Sequence, residues 1–579
     1  MPTRTLRALS RPAVLTLAAL LAVLPILVRG PSCGHDYDFH LVSWLEAANQ
    51  FAHFGFPHWA FTPAFNAGEP RFIFYPPLSW TLGAILGLIL PWNLVPTAFT
   101  WVALTLSGLT MYALARRYAS PNAALLAATL YLANPYMLFT AYERTAYGEL
   151  LAAAWLPLLF AAGLGPPSPR QPVRILPIAS ALALIWLTNA PAAVMSSYAL
   201  AFITAVRLIA DRRSTPYTLH PAPSPLRLTL TTLAGTALGL GLAAFYIVPA
   251  AWERQYVRVN MAVIPGMRPA DHVLFHQMSG LTSDDRLHDS VVRTASIVAL
   301  TLLAAIAAAI LPMLISVWRS RPSTNYPRLT THYPLLLLTL LIAFLLTPPS
   351  LFLWNHIPMF AFLQFPWRLT ALLGVILALV AAGALNRVRF SLPSTLVAIP
   401  WLLAVLILPC WHLFHQPCYP EDTVAARVAV FHSNLGTDAT DEYTPVGADG
   451  DALQSSDPPY FLIPATPRAD LNTPPSPSAQ PGPAPNHLTL TLPAPEYLVL
   501  NRRQYPSWQI RLNGAVIAPV AKKRRDGLIT VLLPAGFDTL DLTLIRTPDQ
   551  TLGLILSLIA ACVAACVRFV RWTPRAGRP

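Results

Sequence analysis

Long apolar runs recur along almost the whole chain, and clusters of arginine separate many of them. A run of about 20 apolar residues is long enough to cross the hydrocarbon core of a bilayer as a helix. Only 11% of the residues are charged, against about 25% in an average soluble protein. The sequence therefore excludes a soluble enzyme, a disordered protein and a disulfide scaffold. We predict about twelve spans, near residues 12–29, 97–115, 121–140, 150–165, 175–190, 192–209, 228–250, 291–317, 334–350, 367–385, 393–410 and 550–567.

A further apolar stretch, 76–91, is short and bounded by prolines. If it does not cross the bilayer, every arginine cluster falls on one side, as the positive-inside rule requires of the cytoplasmic face. We therefore predict a re-entrant or interfacial helix there, an uncleaved first helix, and both termini in the cytoplasm. The clusters are Arg4/Arg7/Arg11, Arg116/Arg117, Arg170/Arg174, Arg212/Arg213/Arg227, Arg319/Arg321/Arg328, Arg387/Arg389 and Arg568/Arg571/Arg575/Arg578.

The net charge of +13 does not indicate a nucleic-acid partner. The basic residues lie in short clusters between apolar runs, whereas a nucleic-acid groove needs a basic stripe with exposed aromatic residues. The expected partner is the lipid bilayer.

The loops on the side opposite the arginines are longer and hold most of the polar sequence. The first of them spans 30–96, and the last, 411–549, changes composition sharply. We predict a Pro-rich linker over 411–490 and a small β-sandwich over 491–549, because alternating runs there surround the turn signal Asn513-Gly514. The sequence thus has four parts. The transmembrane domain is 1–410, the linker and the sandwich follow, and 550–579 forms a last helix with a basic tail.

The five cysteines form neither a disulfide framework nor a zinc motif. A disulfide between Cys410 and Cys418 is one option, if that side of the membrane is oxidising.

Carboxylates and histidines are scarce in this chain, yet they gather in the predicted outer loops. Asp36 and Asp38 stand two residues apart directly after the first span. Such a pair can deprotonate a hydroxyl or bind a divalent cation. The alternative is that both carboxylates only solvate the end of a loop. The same loop supplies further candidates for substrate binding, namely His40, Glu69 and Tyr75.

Three more outer segments carry candidate residues. Glu143 and Glu149 flank the short loop 141–149, where ionisable groups are costly to bury and often functional, although snorkelling to the interface is the common alternative. Asn189 either binds substrate or caps a helix, and the loop 251–290 is either a lid over an acceptor or a solvated loop. Gln364 and Arg368 begin a span, where the guanidinium is suited to hold a phosphate or to anchor the helix at the lipid headgroups.

Taken together, these motifs resemble the GT-C superfamily of membrane glycosyltransferases. More narrowly, they resemble the membrane proteins described as pyruvoyl-tetrahydropterin-synthase-related and the neighbouring YfhO family. The motifs in the transmembrane part are Gly34-His35-Asp36-Tyr37-Asp38-Phe39-His40-Leu41, Gly68-Glu69-Pro70, Phe74-Tyr75-Pro76-Pro77-Leu78, Leu132-Ala133-Asn134-Pro135-Tyr136 with Glu143-Arg144 and Glu149, and Gln364-Phe365-Pro366-Trp367-Arg368. Those in the β domain are Tyr505-Pro506-Ser507-Trp508, Asn513-Gly514 and Leu533-Pro534-Ala535-Gly536.

The resemblance implies a fold, a reaction and a set of roles. The fold would be a mainly α-helical, polytopic GT-C-like bundle with a small extracytoplasmic β-sandwich. The donor would be a polyprenyl-phosphate-linked sugar and the acceptor an envelope glycan or lipid. Asp36, with Asp38 second, would act as base or as ligand of a cation such as Mg²⁺ or Mn²⁺. Glu143 or Glu149 would be the second acid, and Arg368 would hold the lipid phosphate.

The geometry of such a reaction places the site at the outer border of the membrane, and attack opposite the phosphate would invert the anomeric carbon. The expected location is the bacterial inner membrane. Two other functions stay open. A transporter or flippase of lipid-linked sugars would carry ionisable residues near the middle of the membrane and often inverted repeats. A non-catalytic envelope assembly factor would leave the outer carboxylates far apart.

Overall fold

The computed structural model describes residues 2–165, 175–213, 225–319, 329–388, 390–476, 480–522 and 524–570. These residues form a mainly helical bundle followed by two antiparallel sheets and a last helix. The predicted arginine clusters at Arg170/Arg174 and Arg321/Arg328, and the tail beyond residue 570, lie outside the described residues.

The helices of the bundle lie between residues 2 and 409. They are α1 (Pro2–Ala22), α2 (Leu24–Arg29), α3 (Tyr37–Ala52), α4 (Arg71–Phe74), α5 (Pro77–Ile89), α6 (Val95–Ala115), α7 (Pro121–Leu132), α8 (Pro135–Tyr142), α9 (Tyr147–Ala153), α10 (Leu156–Gly163), α11 (Ile175–Trp186), α12 (Ala190–Arg213), α13 (Pro225–Leu242), α14 (Ala244–Glu253), α15 (Ser283–Arg319), α16 (Leu329–Leu345), α17 (Leu351–His356), α18 (Thr370–Leu385) and α19 (Leu392–Pro409). After them come α20 (Val424–Phe431) and α21 (Pro548–Val570).

Within the described residues, seven helices are long and apolar enough to cross a membrane. Two bent pairs raise this number to nine if each is one span, with bends of 74° between α13 and α14 and 98° between α16 and α17. The chain is thus a multi-span membrane protein by the length and composition of its helices, and the count of twelve spans stays a prediction. The stretch 76–91 contains α5, which has 13 residues and is shorter than a bilayer requires.

Helix α3 is amphipathic and lies against α5 and α6 rather than in solvent. The ring of Trp44 stacks on Phe99 with 4.9 Å between ring centres. A Cβ atom at Gly83 would lie 2.3 Å from the Trp44 ring, so only glycine permits this approach. The packing fixes α3, and with it the Asp36 turn from which the helix begins.

The seven strands are β1 (Tyr460–Pro464), β2 (His487–Leu492), β3 (Glu496–Arg503), β4 (Trp508–Leu512), β5 (Ala515–Ile517), β6 (Leu528–Leu533) and β7 (Gly536–Leu544). One sheet has the order β1-β3-β6 and the other the order β2-β7-β4-β5. Side chains of both sheets share one apolar core, as in a sandwich. Asn513 and Gly514 both have positive φ, which confirms the predicted hairpin turn between β4 and β5.

The predicted linker needs correction. The segment 411–490 contains α20, β1 and the start of β2, so ordered structure begins well before residue 491. The sandwich also lies directly on the first outer loop. Trp59 of that loop packs on Trp508 with 5.7 Å between ring centres, and the backbone N–H of Arg503 donates to the carbonyl of Ala67 at 2.9 Å.

The disulfide between Cys410 and Cys418, which the sequence left as one option, is not formed. Cys418 is bonded to Cys33, 385 residues away, while Cys410 is a free, buried thiol. Cys410 lies at the end of α19 within the bundle core, whereas Cys418 lies in the segment that packs on the start of the first outer loop. The disulfide therefore joins the two loop segments that flank the bundle.

Candidate active site

The turn that carries Asp36 is held against the end of α8. The backbone N–H of Asp36 donates to the carbonyl of Arg144 at 3.0 Å. Gly34 lies so close to the Glu143 carbonyl that an added Cβ would come within 2.1 Å of its oxygen. The hydroxyl of Ser32 donates to the Tyr142 carbonyl at 2.6 Å. These contacts fix the position of Asp36 beside the connection between α8 and α9.

Four charged side chains from three distant parts of the sequence form one continuous chain of contacts. Arg144 contacts Asp36 at 3.0 Å through Nη2 and Glu149 at 2.8 Å through Nη1. Nε of Arg368 lies 3.3 Å from the same oxygen of Glu149, Oε2, that Arg144 contacts. Tyr136 donates its hydroxyl to the other oxygen of Glu149. We name Asp36, Arg144, Glu149 and Arg368 the charge cluster.

Aromatic rings line the cluster. The Arg144 guanidinium lies 4.8 Å from the centre of the Trp367 ring, and the Arg368 guanidinium lies 4.5 Å from that of Phe365. Arg144, Glu149 and Arg368 are buried, whereas the side chain of Asp36 is 38% exposed. The cluster thus opens towards solvent at Asp36, and its other members are shielded from water, which strengthens their electrostatic interactions.

Gln364 positions Arg368. Its amide oxygen accepts from Nη1 of Arg368 at 3.1 Å, and its amide nitrogen donates to the carbonyl of Ala262 at 2.6 Å. Gln364 has φ of 60°, a conformation that non-glycine residues rarely adopt and that tends to occur at functional sites. The turn before α18 is therefore tied to the loop 251–290.

The charges of the cluster determine the protonation state of Asp36. Burial opposes ionisation of this carboxyl, but Arg144, His40, Arg368 and His35 outweigh it and hold its pKa below the ordinary value. His40 lies alongside, with Nε2 3.4 Å from the Tyr75 hydroxyl. Burial lowers the pKa of His40 to about 4. At neutral pH, Asp36 is thus a carboxylate and His40 a neutral ring.

Asp38 and Glu143, two of the four predicted catalytic residues, do not join the cluster. Asp38 pairs with Arg427 at 2.5 Å, and burial raises its pKa to about 6. Glu143 is buried without an ion pair in the described part of the chain, and burial raises its pKa to about 7. Since Glu143 and Arg144 are neighbours at a helix end, their side chains point in different directions.

Glu69 and Asn189 occupy structural positions. The buried carboxylate of Glu69 accepts from Nε of Arg71 at 2.8 Å and from the backbone N–H of Thr440 at 2.9 Å, and so attaches the first outer loop to the later segment. Asn189 accepts from the N–H of Ala192 at 2.9 Å, which is the helix cap that its position allowed as an alternative.

The residues proposed as cation ligands do not fit a divalent ion well. Asp36 is paired with Arg144 and Asp38 with Arg427, so a guanidinium already neutralises each carboxylate. Among the described residues, no three His, Cys, Asp or Glu side chains converge as a ligand set. Mg²⁺ and Mn²⁺ prefer several oxygen ligands.

Three residues of this site were not among the sequence candidates. Tyr136 donates to the carboxylate of Glu149, and Arg144 pairs with that of Asp36. Arg427 pairs with the carboxylate of Asp38. Arg144 and Tyr136 lie within the motifs that carry the family resemblance, and their place there is the sequence signal that could have identified them. Arg427 lies in the predicted linker, where no motif marks it.

No family model matches the sequence, and no curated protein matches it. Among solved structures, the chain is similar to the arabinofuranosyltransferase AftD from Mycobacteria, with 15% identity over 91% of this chain and 40% of that one, at a TM-score of 0.43. It is also similar to the oligosaccharyltransferase of Archaeoglobus fulgidus in two structures, one with zinc and sulfate and one apo. Identities are 16% and 17%, TM-scores are 0.33 and 0.35, and coverage is 72% of this chain and 53% and 56% of theirs. The chain thus spans about half the length of these proteins.

Proposed function

We propose that the protein is a membrane glycosyltransferase of the GT-C type. It transfers a sugar from a polyprenyl-phosphate donor to an extracytoplasmic envelope acceptor, with inversion. The observation that carries this proposal is the charge cluster, in which Asp36, Glu149 and Arg368 converge although more than 300 residues separate the first from the last. A non-catalytic assembly factor would not require this convergence.

The two arginines suit a lipid-linked phosphate. Both guanidinium groups contact the same carboxylate oxygen of Glu149 and so face one small region. Guanidinium groups bind phosphate through parallel, charge-assisted hydrogen bonds. The donor phosphate would take a place beside Glu149, and the arginines would stabilise the negative charge that grows on it as the sugar departs.

Asp36 suits the role of base. Without substrate, Arg144 keeps the carboxylate ionised but weakly basic. A donor phosphate that draws Arg144 towards itself would raise the pKa of Asp36. Asp36 then removes the proton of the acceptor hydroxyl, whose oxygen bonds to the anomeric carbon. The bond from that carbon to the phosphate oxygen breaks, polyprenyl phosphate leaves, and the anomeric centre inverts.

Two observations support an extracytoplasmic site. With the predicted spans, the arginine clusters of the sequence fall on the side opposite the first outer loop. The disulfide between Cys33 and Cys418 lies on the same loops as Asp36, and disulfides persist in oxidising compartments. We therefore place the protein in the bacterial inner membrane, with both termini in the cytoplasm.

Deletion and complementation test the proposal. Without the protein, a lipid-linked saccharide should accumulate, and purified protein given that saccharide should release polyprenyl phosphate. Asp36→Asn should lower this release by about 100-fold or more, the usual contribution of a general base. Asp451→Asn, at an exposed aspartate of the 411–549 segment, is the matched control and should behave as wild type.

Full release by the Asp36→Asn protein would contradict the assignment of the base. A purified protein that moves the saccharide between leaflets, without releasing polyprenyl phosphate, would contradict glycosyl transfer and indicate a flippase.

A further inference from the structure

A cavity of about 390 Å³ lies beside the first turns of α15, and Asp36 is not part of its lining. The loop 251–290 forms one wall and α15 the other. Its lining includes Phe275, His276, Arg286, Asp289, Ser290 and Arg293. We name it the α15 cavity. The catalytic proposal does not use any of these residues.

Two arginines make the α15 cavity attractive to anions. Arg286, Ser290 and Arg293 are spaced by four and three residues and therefore share one face of the helix. Within the part of the chain that the structure describes, neither guanidinium forms an ion pair. The neighbouring carboxylate of Asp289 is already bound by the N–H of Met278 at 2.8 Å and by His288 at 3.2 Å.

An exposed aromatic ring stands at the rim. Phe275 is 50% exposed and has φ of 56°, a conformation that costs energy for a bulky residue. Its N–H donates to the hydroxyl of Ser296 at 2.9 Å, which holds the backbone in this state. A fixed, exposed phenyl ring offers an apolar face against which the C–H face of a sugar ring can pack.

A row of aromatic rings joins the α15 cavity to the charge cluster. The ring centres of His276 and His288 are 6.3 Å apart, those of His288 and His272 are 4.7 Å apart, and those of His272 and Phe365 are 4.3 Å apart. Arg368 lies on Phe365. Packed and largely buried rings thus connect the wall of the cavity with the proposed donor phosphate site.

We propose that the α15 cavity binds an anionic sugar residue of the acceptor glycan. Arg286 and Arg293 hold its carboxylate or phosphate, and Phe275 packs against its ring. This rests on the proposed function, because it names the chemical class of the acceptor. A different role for arginines at the end of a membrane helix is to contact lipid headgroups. Headgroups do not account for a cavity with a strained phenyl ring at its rim.

Binding of defined oligosaccharides to the purified full-length protein tests the proposal. The anionic probes are trigalacturonate and a trisaccharide phosphorylated on its terminal sugar, and galactotriose is the neutral probe. At least one anionic probe should bind more tightly than galactotriose and lose affinity as salt is raised. The double variant Arg286→Gln/Arg293→Gln should weaken that anionic binding roughly tenfold or more, because it removes charge-assisted hydrogen bonds.

Two further variants separate the contributions. Phe275→Ala should weaken both anionic and neutral probes, since the phenyl ring does not distinguish charge. Arg468→Gln, at an exposed arginine of the 411–476 segment, is the matched control and should bind as wild type. Size-exclusion profiles establish that each variant is folded.

Equal binding of charged and neutral probes, or no effect of the arginine pair, would overturn the proposal. The proposal would also be overturned if the double arginine variant changed only the melting temperature of the protein in nanodiscs that contain phosphatidylglycerol. The two arginines would then contact lipid. Asp36→Asn should leave probe binding intact. If the Asp36→Asn protein binds the anionic probe and also still transfers sugar, Asp36 is not the base. The proposal for the α15 cavity is then unaffected.

Discussion

At the scale of single residues, the site consists of charges that satisfy one another. Glu149 accepts from Arg144 and Tyr136 and forms an ion pair with Arg368, so no charge of the cluster is buried alone. A buried charge without a partner is expensive, whereas a paired one is tolerated. Glu143, outside the cluster, differs, since Oε2 of this buried carboxyl has no hydrogen-bond partner in the described part of the chain.

Glu143 should make stability depend on pH. Its pKa is about 7 in the folded protein and ordinarily 4.5, so the folded state retains a proton that the unfolded state loses between these values. Stability should therefore fall as pH rises through this window, by about 3 kcal/mol from this group. In Glu143→Gln that loss should be absent. Unfolding in detergent between about pH 5 and pH 8 measures it.

The exposed Glu421 provides the control, because Glu421→Gln should reproduce the wild-type pH profile. Parallel profiles for wild type and Glu143→Gln would show that Glu143 ionises normally in the folded protein.

At the scale of elements, one buried carboxylate connects three parts of the fold. Glu253, at the end of α14, accepts from the hydroxyl of Tyr505 at 2.7 Å and from the amide of Gln550 at 2.9 Å. Tyr505 precedes β4 in the sandwich, and Gln550 lies in the first turn of α21. The bent helix, the sandwich and the last helix therefore depend on one another.

Removing the tyrosine hydroxyl should loosen this connection. Tyr505→Phe leaves a buried carboxylate one donor short, which should cost about 1–3 kcal/mol. Hydrogen exchange should increase in β4 and in the first turn of α21, while α6 and α7 remain protected. Tyr419→Phe, at a tyrosine that is 65% exposed, is the control. Unchanged exchange in Tyr505→Phe would mean that the apolar core alone holds the sandwich in place.

The local sequence pattern predicted the strands better than it predicted which segments and side chains contact one another. The alternating runs of β2, β3, β4, β6 and β7 and the turn at Asn513-Gly514 were evident because strand periodicity and turn chemistry are local. Strand β1 was missed, since it ends in Pro464 and borders a proline-rich stretch that resembles a linker, and its pairing with β3 is tertiary. Asp36, Glu149 and Arg368 were identified by residue type, but the choice of Arg144 depends on how α8 ends.

At the scale of the whole molecule, the first outer loop and the segment 411–549 form a single covering layer over the bundle. The disulfide from Cys33 to Cys418, the contacts of Glu69 with Thr440 and those of Trp59 with Trp508 connect the two at several points. The position of Asp36 thus depends on residues from both ends of the chain.

Loss of the disulfide should destabilise this layer. Cys418→Ser frees a loop of 385 residues, and removal of a native disulfide commonly costs about 2–5 kcal/mol. The melting temperature of the purified variant should fall, and dithiothreitol should lower that of wild type but not that of the variant. Cys562→Ser, at an exposed free cysteine, is the control. A peptide map of unreduced protein that shows Cys33 as a free thiol would contradict the bond.

The same long-range bond sets an order of events during synthesis. Asp36 emerges from the ribosome early, but Cys418 follows 385 residues after its disulfide partner Cys33. At about 5–20 residues per second, that interval is roughly 20–80 seconds. For this period the nascent protein carries an unanchored aspartate turn, so the position of Asp36 is fixed only when most of the polypeptide has been translated and inserted.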